Sequence, residues 1–279
     1  MEHKNHLLRE WSESAKAWRE HSATVRTMFT PLTTALIEEA GISAGQSVLD
    51  VAGGPGEPSL TIAEVVGPTG SVTHTDAVAE MVATAEAEAK RRGLTNMRFQ
   101  QSVAESLPFA DNSFDATVSR LGVMLFADPA AGLREMLRVT KPHGALCLIV
   151  WGNIERNPFT TSVSKVIARY VDAPPEDPDA PGAFRFAESG KLSGLLAEAG
   201  AVDVKERELN FDIAAPVLLK EFWEMRSTMS GTLREKLATL SADKAREVES
   251  EVLEAVREFF PNNQMRFPAQ MLVVSGRKP

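Results

Sequence analysis

The chain has 279 residues, 43% of them hydrophobic, enough to bury one large domain or a core with a smaller cap. Its formal net charge of −8 opposes the sequence-independent attraction to phosphate backbones, so no nucleic-acid partner is expected. A single cysteine, Cys147 in the apolar run ALCLIVW, allows neither an intramolecular disulfide nor a multi-thiolate metal site and suits a reducing cytoplasm; without an 18-residue apolar run or a signal peptide, no membrane span is expected.

Apolar positions at helical spacing from residue 5 to 40 predict two or more helices, closed by Gly41 and Gly45. SVLDVA then reads as a buried strand, followed by a glycine turn and the helix PSLTIAEVV, which GPTG ends. The strand SVTHTD, the helix AEMVATAEAEAKRRG and the strand NMRFQQS come next, then a loop, the strand FDATVSRL, the helix DPAAGLREMLRVT, the turn KPHG and the strand ALCLIVW. Strands separated by helices of this length build right-handed crossovers and a doubly wound parallel sheet. Beyond the Pro/Asp-rich loop at 171–183 the order changes: a helix, the alternating strand AVDVKERELNFDI, helical material from Val217 to Phe260, and a last strand QMRFPAQMLVVSGR. The expectation is a Rossmann-like, mostly parallel seven-stranded α/β sheet with an antiparallel last strand and helical cap or lid insertions.

The stretch VLDVAGGPGEPSL is where a ligand is expected, because an open parallel sheet binds at the carboxyl ends of its strands and the first strand-turn-helix is the usual cradle. Gly53, Gly54 and Gly56 leave room for an adenosine group, and the helix from Pro58 aims its N-terminal amides at an arriving anion. Between Thr27 and Ala89 there is no lysine or arginine, while Asp50, Glu57 and Asp76 fall at or beside the strand ends. Three acids suit a cationic ligand such as S-adenosylmethionine (SAM) better than a pyrophosphate. Glu57 also reads as an ordinary residue complementing the helix dipole. Asp76 lies about 20 residues past the glycine turn, the spacing at which an acid meets a ribose diol.

These residues resemble the class I SAM-dependent methyltransferases, in particular the group similar to the ubiquinone/menaquinone-biosynthesis enzymes. The resemblance covers most of residues 10 to 155 and rests on VLDVAGGPG, VTHTDAVAEM, AESLPFADNSFDATVSR and LREMLRVTKPHGAL in that order. It implies that Ala52, Gly53 and Gly54 lie beside the methionine part of SAM, that Asp50 helps hold its ammonium group, that Asp76 takes both ribose hydroxyls, and that Ala77 is among the cofactor-binding residues. Met81 would cover adenine or else simply pack. The group often has an aspartate before AExLPF where this chain has Val103, so adenine is left to Ser102 and the backbone of Val103 and Ala104; Pro55 replaces the usual threonine and removes an amide from the turn. Ser119, Arg120 and Leu121 would sit at the mouth of the site, Arg120 either holding a carboxylate or serving as an ion-pair partner. Trp18 would cover SAM from the N-terminal helices, or pack there. No metal is implied.

The resemblance divides the chain into cap helices (1–45), a SAM-binding core (46–155), a linker with a helix and the sixth strand (156–213), a helical lid (214–262) and the last strand (263–279). Displacement at an activated sulfonium needs alignment more than acid-base help; if a base acts, His21 is the candidate, with His74 and His143 read as structural. Trp151 and Asn153 are candidates to line a substrate cavity, and Phe159, Phe184, Phe186, Phe222, Trp223, Met225 and Met229 either enclose an apolar one or form the lid's own core or a dimer face. The expected partner is thus a small molecule with an apolar or aromatic part, a homodimer staying open. Two other classes stay open: an NAD(P)-dependent oxidoreductase on a similar fold, disfavoured by Ser59 in place of a third glycine and by the lack of Tyr-x-x-x-Lys, and a SAM-binding protein without transferase activity.

Overall fold

The computed structural model describes residues 2–172 and 177–279, so that part of the Pro/Asp-rich loop, residues 173–176, lies outside the described residues. The chain divides into two compact units. In order it forms α1 (Glu2–Glu20), α2 (Ser22–Ala40), β1 (Ser47–Val51), α3 (Ser59–Val66), β2 (Ser71–Asp76), α4 (Ala79–Arg92), β3 (Met97–Gln101), β4 (Phe114–Arg120), α5 (Pro129–Val139), β5 (Thr140–Trp151), α6 (Pro158–Ile167), α7 (Lys191–Glu198), β6 (Val202–Ala215), α8 (Leu219–Met229), α9 (Gly231–Ala238), α10 (Ala242–Ala255) and β7 (Met265–Arg277).

The sheet unit comprises Thr30–Gly152, Pro181–Leu209 and Met271–Pro279. Its strands run in the order β3-β2-β1-β4-β5-β7-β6, parallel from β3 through β5, with β7 antiparallel to β5. The last strand therefore lies inside the sheet, between β5 and β6, rather than at its edge. Chain order reverses between β1 and β4, which makes that crevice the topological switch point where open α/β sheets bind ligands. The central strands are apolar runs because both faces are covered: Val48, Leu49, Val118, Leu146 and Leu148 are fully buried. Sequence chemistry sets the helix ends. Asp128 accepts the amide of Ala131 (2.9 Å) to start α5, and Gly93, left-handed at φ 71°, closes α4. KPHG does not interrupt the strand as a separate turn. It is an irregularity within β5, where the partner of Phe114 is Thr140 but that of Ala116 is Ala145; His143 takes φ 62° and its amide bonds to Lys278.

The helical unit comprises the described residues of Met1–Phe29, Asn153–Ala180 and Asn210–Gln270. The division between the units falls inside α2, after Phe29, and Gly41, at φ 62°, follows the end of that helix. The expected helical run from Val217 splits into α8, α9 and α10, the last two restarted by serines, Ser230 accepting the amide of Leu233 and Ser241 that of Lys244. The unit's core is aromatic: Phe159, Phe222, Phe260 and Phe267 meet at centroid distances of 5.3–5.9 Å. A fully buried amide ties α6 to β7, since Asn157 donates to Gln270 O (3.0 Å) and accepts from Gln270 N (3.0 Å). Among the described residues no helix is long and apolar enough to cross a membrane.

Candidate functional site

The glycine turn is built by strand-end hydrogen bonds. The Gly53 amide donates to Thr75 O (2.9 Å), the Thr75 hydroxyl to Asp50 O (3.0 Å), and the Gly54 amide to the Asp76 carboxylate (2.9 Å). Asp76 also accepts the Val78 amide (2.9 Å), so one carboxylate joins the turn after β1 to the start of α4. Two non-glycine residues take left-handed backbone here, Ala52 at φ 57° and Leu121 at φ 62°, a conformation that the surrounding contacts must sustain. The Ser119 hydroxyl bonds Val51 O (2.8 Å) and the Leu121 amide bonds Ile149 O (2.8 Å). A Cβ on Gly122 would lie 2.7 Å from Ala52 Cβ. The ends of β1 and β4 are thus locked together at the switch point.

The glycines serve different purposes from the one the sequence suggests. A Cβ on Gly53 would lie 2.5 Å from His74 Nδ1 and 2.6 Å from Asp50 Oδ2, so Gly53 makes room for side chains beneath the turn. Gly56, at φ 130°, is pressed on Leu60. Gly54 alone of the three has open space where a side chain would be, with φ 58°.

Beneath the turn is a polar chain that sequence reasoning missed. Ser59 Oγ bonds Asp50 Oδ2 at 2.5 Å and lies 2.9 Å from His74 Nδ1, all three residues being fully buried. Ser59, counted as a departure from the dinucleotide fingerprint, is the link between an acid and an imidazole. Burial raises Asp50 to about 7 against the pull of its Ser59 bond and of Arg120, and burial lowers His74 to about 4. Asp50 Oδ1, His74 Nε2 and the Ser102 hydroxyl are buried without a hydrogen-bond partner.

The acidic character read from the sequence is partly cancelled. Glu57 pairs with Arg92 (3.0 Å) and accepts from the Thr61 hydroxyl (2.7 Å), while the Leu60 amide bonds Gly56 O (2.9 Å). The first turn of α3 is therefore engaged by its own chain, and its amides do not point freely at an anion. Arg120 donates to Thr33 Oγ1 (2.8 Å) and Glu57 O (3.0 Å). It thereby ties the turn before α3 to α2 through a carbonyl and a hydroxyl. Asp50 and Asp76 remain as the acids of the site, burial raising the carboxyl of Asp76 as well.

Of the other expected residues, Ser102 lies against the end of β2 through its amide bond to Asp76 O (3.0 Å), with Val103 half-buried and Ala104 buried beyond it. The Ala77 carbonyl accepts from Gln101 Nε2 (3.0 Å). Met81 is 2% exposed, which favours packing. These residues share the sheet unit with Asp50, Ala52, Gly53, Gly54, Ser119, Arg120 and Leu121; Trp18 and His21 belong to the helical unit. The Trp18 indole N–H donates to Met229 O (3.2 Å) and its ring meets Trp11 at 5.5 Å. No hydrogen bond among the described residues orients the His21 ring.

Residues 32–171 match the model of the ubiE/COQ5 methyltransferase family. The chain belongs to the ubiE/COQ5 methyltransferase family. It is 40% identical over 119 residues to the ubiquinone/menaquinone biosynthesis C-methyltransferase UbiE of Bdellovibrio bacteriovorus, which covers 43% of this chain and half of that protein. It is 34% identical over 208 residues to an uncharacterized protein of Mycobacterium bovis, covering 71% and 70%. The fold is shared with a SAM-dependent methyltransferase from Aquifex aeolicus at TM-score 0.56 and 19% identity, over 95% and 98% of the two chains.

The cofactor of this family, SAM, fits the residues present. Two buried acids at adjacent strand ends offer carboxyls that a cationic ligand would draw back toward the charged form, and the orphaned atoms Asp50 Oδ1 and Ser102 Oγ are unused polar capacity at the heads of β1 and β3. Gly54 leaves backbone open above them.

Proposed function

We propose that the chain transfers a methyl group from SAM to a small-molecule acceptor. The observation that carries this reading is the state of the helix after the glycine turn. In a dinucleotide site those amides cradle a pyrophosphate; here the Thr61 amide turns to Glu57 (3.4 Å) and the Leu60 amide to Gly56 O (2.9 Å), while the carboxyls of Asp50 and Asp76 stand at the strand ends, where a cationic ligand would draw them to the charged form. That favours a cationic nucleoside over NAD(P). Asp76 would take the ribose hydroxyls, Asp50 the ammonium group, the Ala52–Gly54 backbone the methionine part, and Ser102, Val103 and Ala104 the adenine edge. When bound, SAM supplies a methyl group already activated on a sulfonium, so the chain needs to align and desolvate rather than to activate.

An apolar part of the acceptor is supported by the half-buried Trp18 and Met229, although Phe159, Phe222, Trp223 and Met225 pack as core at 7% exposure or less. His21 as a base has only its position near Trp18 in its favour. A homodimer would have to cover exposed hydrophobics such as Ile154 and Leu218, and sedimentation tests it. The buried thiol of Cys147 suits a reducing cytoplasm. Incubation with methyl-labelled SAM and a metabolite panel tests transfer: label in a small-molecule product is expected, and tight SAM binding with no labelled product would favour a non-catalytic binder.

A further inference from the structure

In the helical unit, Arg226 has no acidic partner among the described residues. Arg226, on α8, places its guanidinium carbon 4.7 Å from the centroid of the buried Phe159 ring. Its Nε is sealed from solvent without a hydrogen-bond partner, though the residue as a whole keeps some exposure. Residues one turn away are Phe222, Trp223 and Met229 on α8 and Ser230 just after it, none of them acidic. Four acids of the unit are engaged elsewhere: Glu10 with Thr232, Glu221 with the Leu218 amide, Glu251 with Tyr170 and Arg169, and Asp212 with Arg266. Burial alone, with no acid opposing it, lowers Arg226 to about 10.

A guanidinium nitrogen sealed from water without a partner is costly, and one aromatic face returns only a fraction of that cost. Arginine's planar fork matches the two oxygens of a carboxylate or phosphate. We propose that Arg226, seated on the Phe159 ring, is an oxyanion-binding residue whose ligand is a small molecule bearing a carboxylate or phosphate group. The inference concerns the helical unit and does not rest on the SAM reading.

The test is thermal unfolding of the full chain without SAM, titrated into the millimolar range with benzoate, inorganic phosphate or neutral benzamide. Benzoate, phosphate or both should raise the Tm saturably by a few degrees, benzamide should not, and Arg226→Met should abolish the response. Arg226→Lys, which keeps charge but loses the fork, should bind about tenfold more weakly. Unliganded Arg226→Met should melt at or above wild type, because it removes an uncompensated charge. A response to benzoate alone identifies a carboxylate, and to phosphate alone a phosphate ligand. The proposal is overturned if neither anion shifts wild type more than Arg226→Met, or if Arg226→Met melts several degrees lower and Arg226→Lys restores it without any anion response.

Discussion

Asp50 and His74 make opposite contributions to the pH dependence of stability, and their near cancellation can be exposed by mutation. Burial moves Asp50 from 3.8 to about 7 and His74 from 6.5 to about 4. Near pH 5 the folded chain keeps a proton on Asp50 that the unfolded chain has released, and lacks the one the unfolded chain carries on His74. The Asp50 contribution is full below its unfolded value and is lost as pH rises toward 7, because the native state binds more protons. The His74 contribution has the opposite sign: stability rises between about pH 4 and 6.5. At about 1.4 kcal/mol per unit, the falling arm is roughly 4 kcal/mol and the rising arm roughly 3. Urea midpoints and slopes measured across this window read both. Relative to wild type, Asp50→Asn should gain roughly 3 kcal/mol as pH rises from about 4.5 to 7, and His74→Gln should lose roughly 2. Asp76, also raised by burial, is common to all three proteins and drops out of the differences. If both differences stay flat within about 0.5 kcal/mol, the two groups are not buried as described.

Three further outcomes are expected. Gly53→Ala should destabilise by roughly 1–3 kcal/mol, since its methyl meets His74 and Asp50 at 2.5–2.6 Å, whereas Gly54→Ala, in open space, should cost only about 1 kcal/mol of backbone strain; chemical denaturation separates them. Asp76→Ala should weaken SAM affinity by roughly 2–4 kcal/mol through loss of charged contacts, with further loosening of the turn because the Gly54 and Val78 amides lose their acceptor; calorimetry reads the affinity. Glu57→Gln should cost roughly 1–3 kcal/mol in a urea melt: the pair is only 9–12% exposed, but Arg92 keeps Glu88 at 2.8 Å.

The sheet was legible because its strands are buried on both faces and stand out as apolar runs between helices of crossover length. The glycine turn and Asp76 were legible because strand ends and short spacings are local. The electrostatics were not, since a stretch free of lysine and arginine says nothing about Arg92 and Arg120 arriving from α4 and β4. Ser59 was read as a missing glycine, because a sequence pattern counts positions facing a ligand and cannot show a hydroxyl facing down onto Asp50. The aromatic residues at 159 and 222 left core and cavity open, and ring contacts with Phe267 from the last strand favour core. Arg226 carried no signal, for a sequence does not show an Nε sealed from solvent beside the Phe159 ring.

Calorimetric titration of the wild-type chain with SAM and, separately, with NADH tests the central claim most directly. Saturable one-to-one binding of SAM, weakened in Asp76→Ala, with no heat from NADH is the predicted result. Saturable binding of NADH with none of SAM would contradict it.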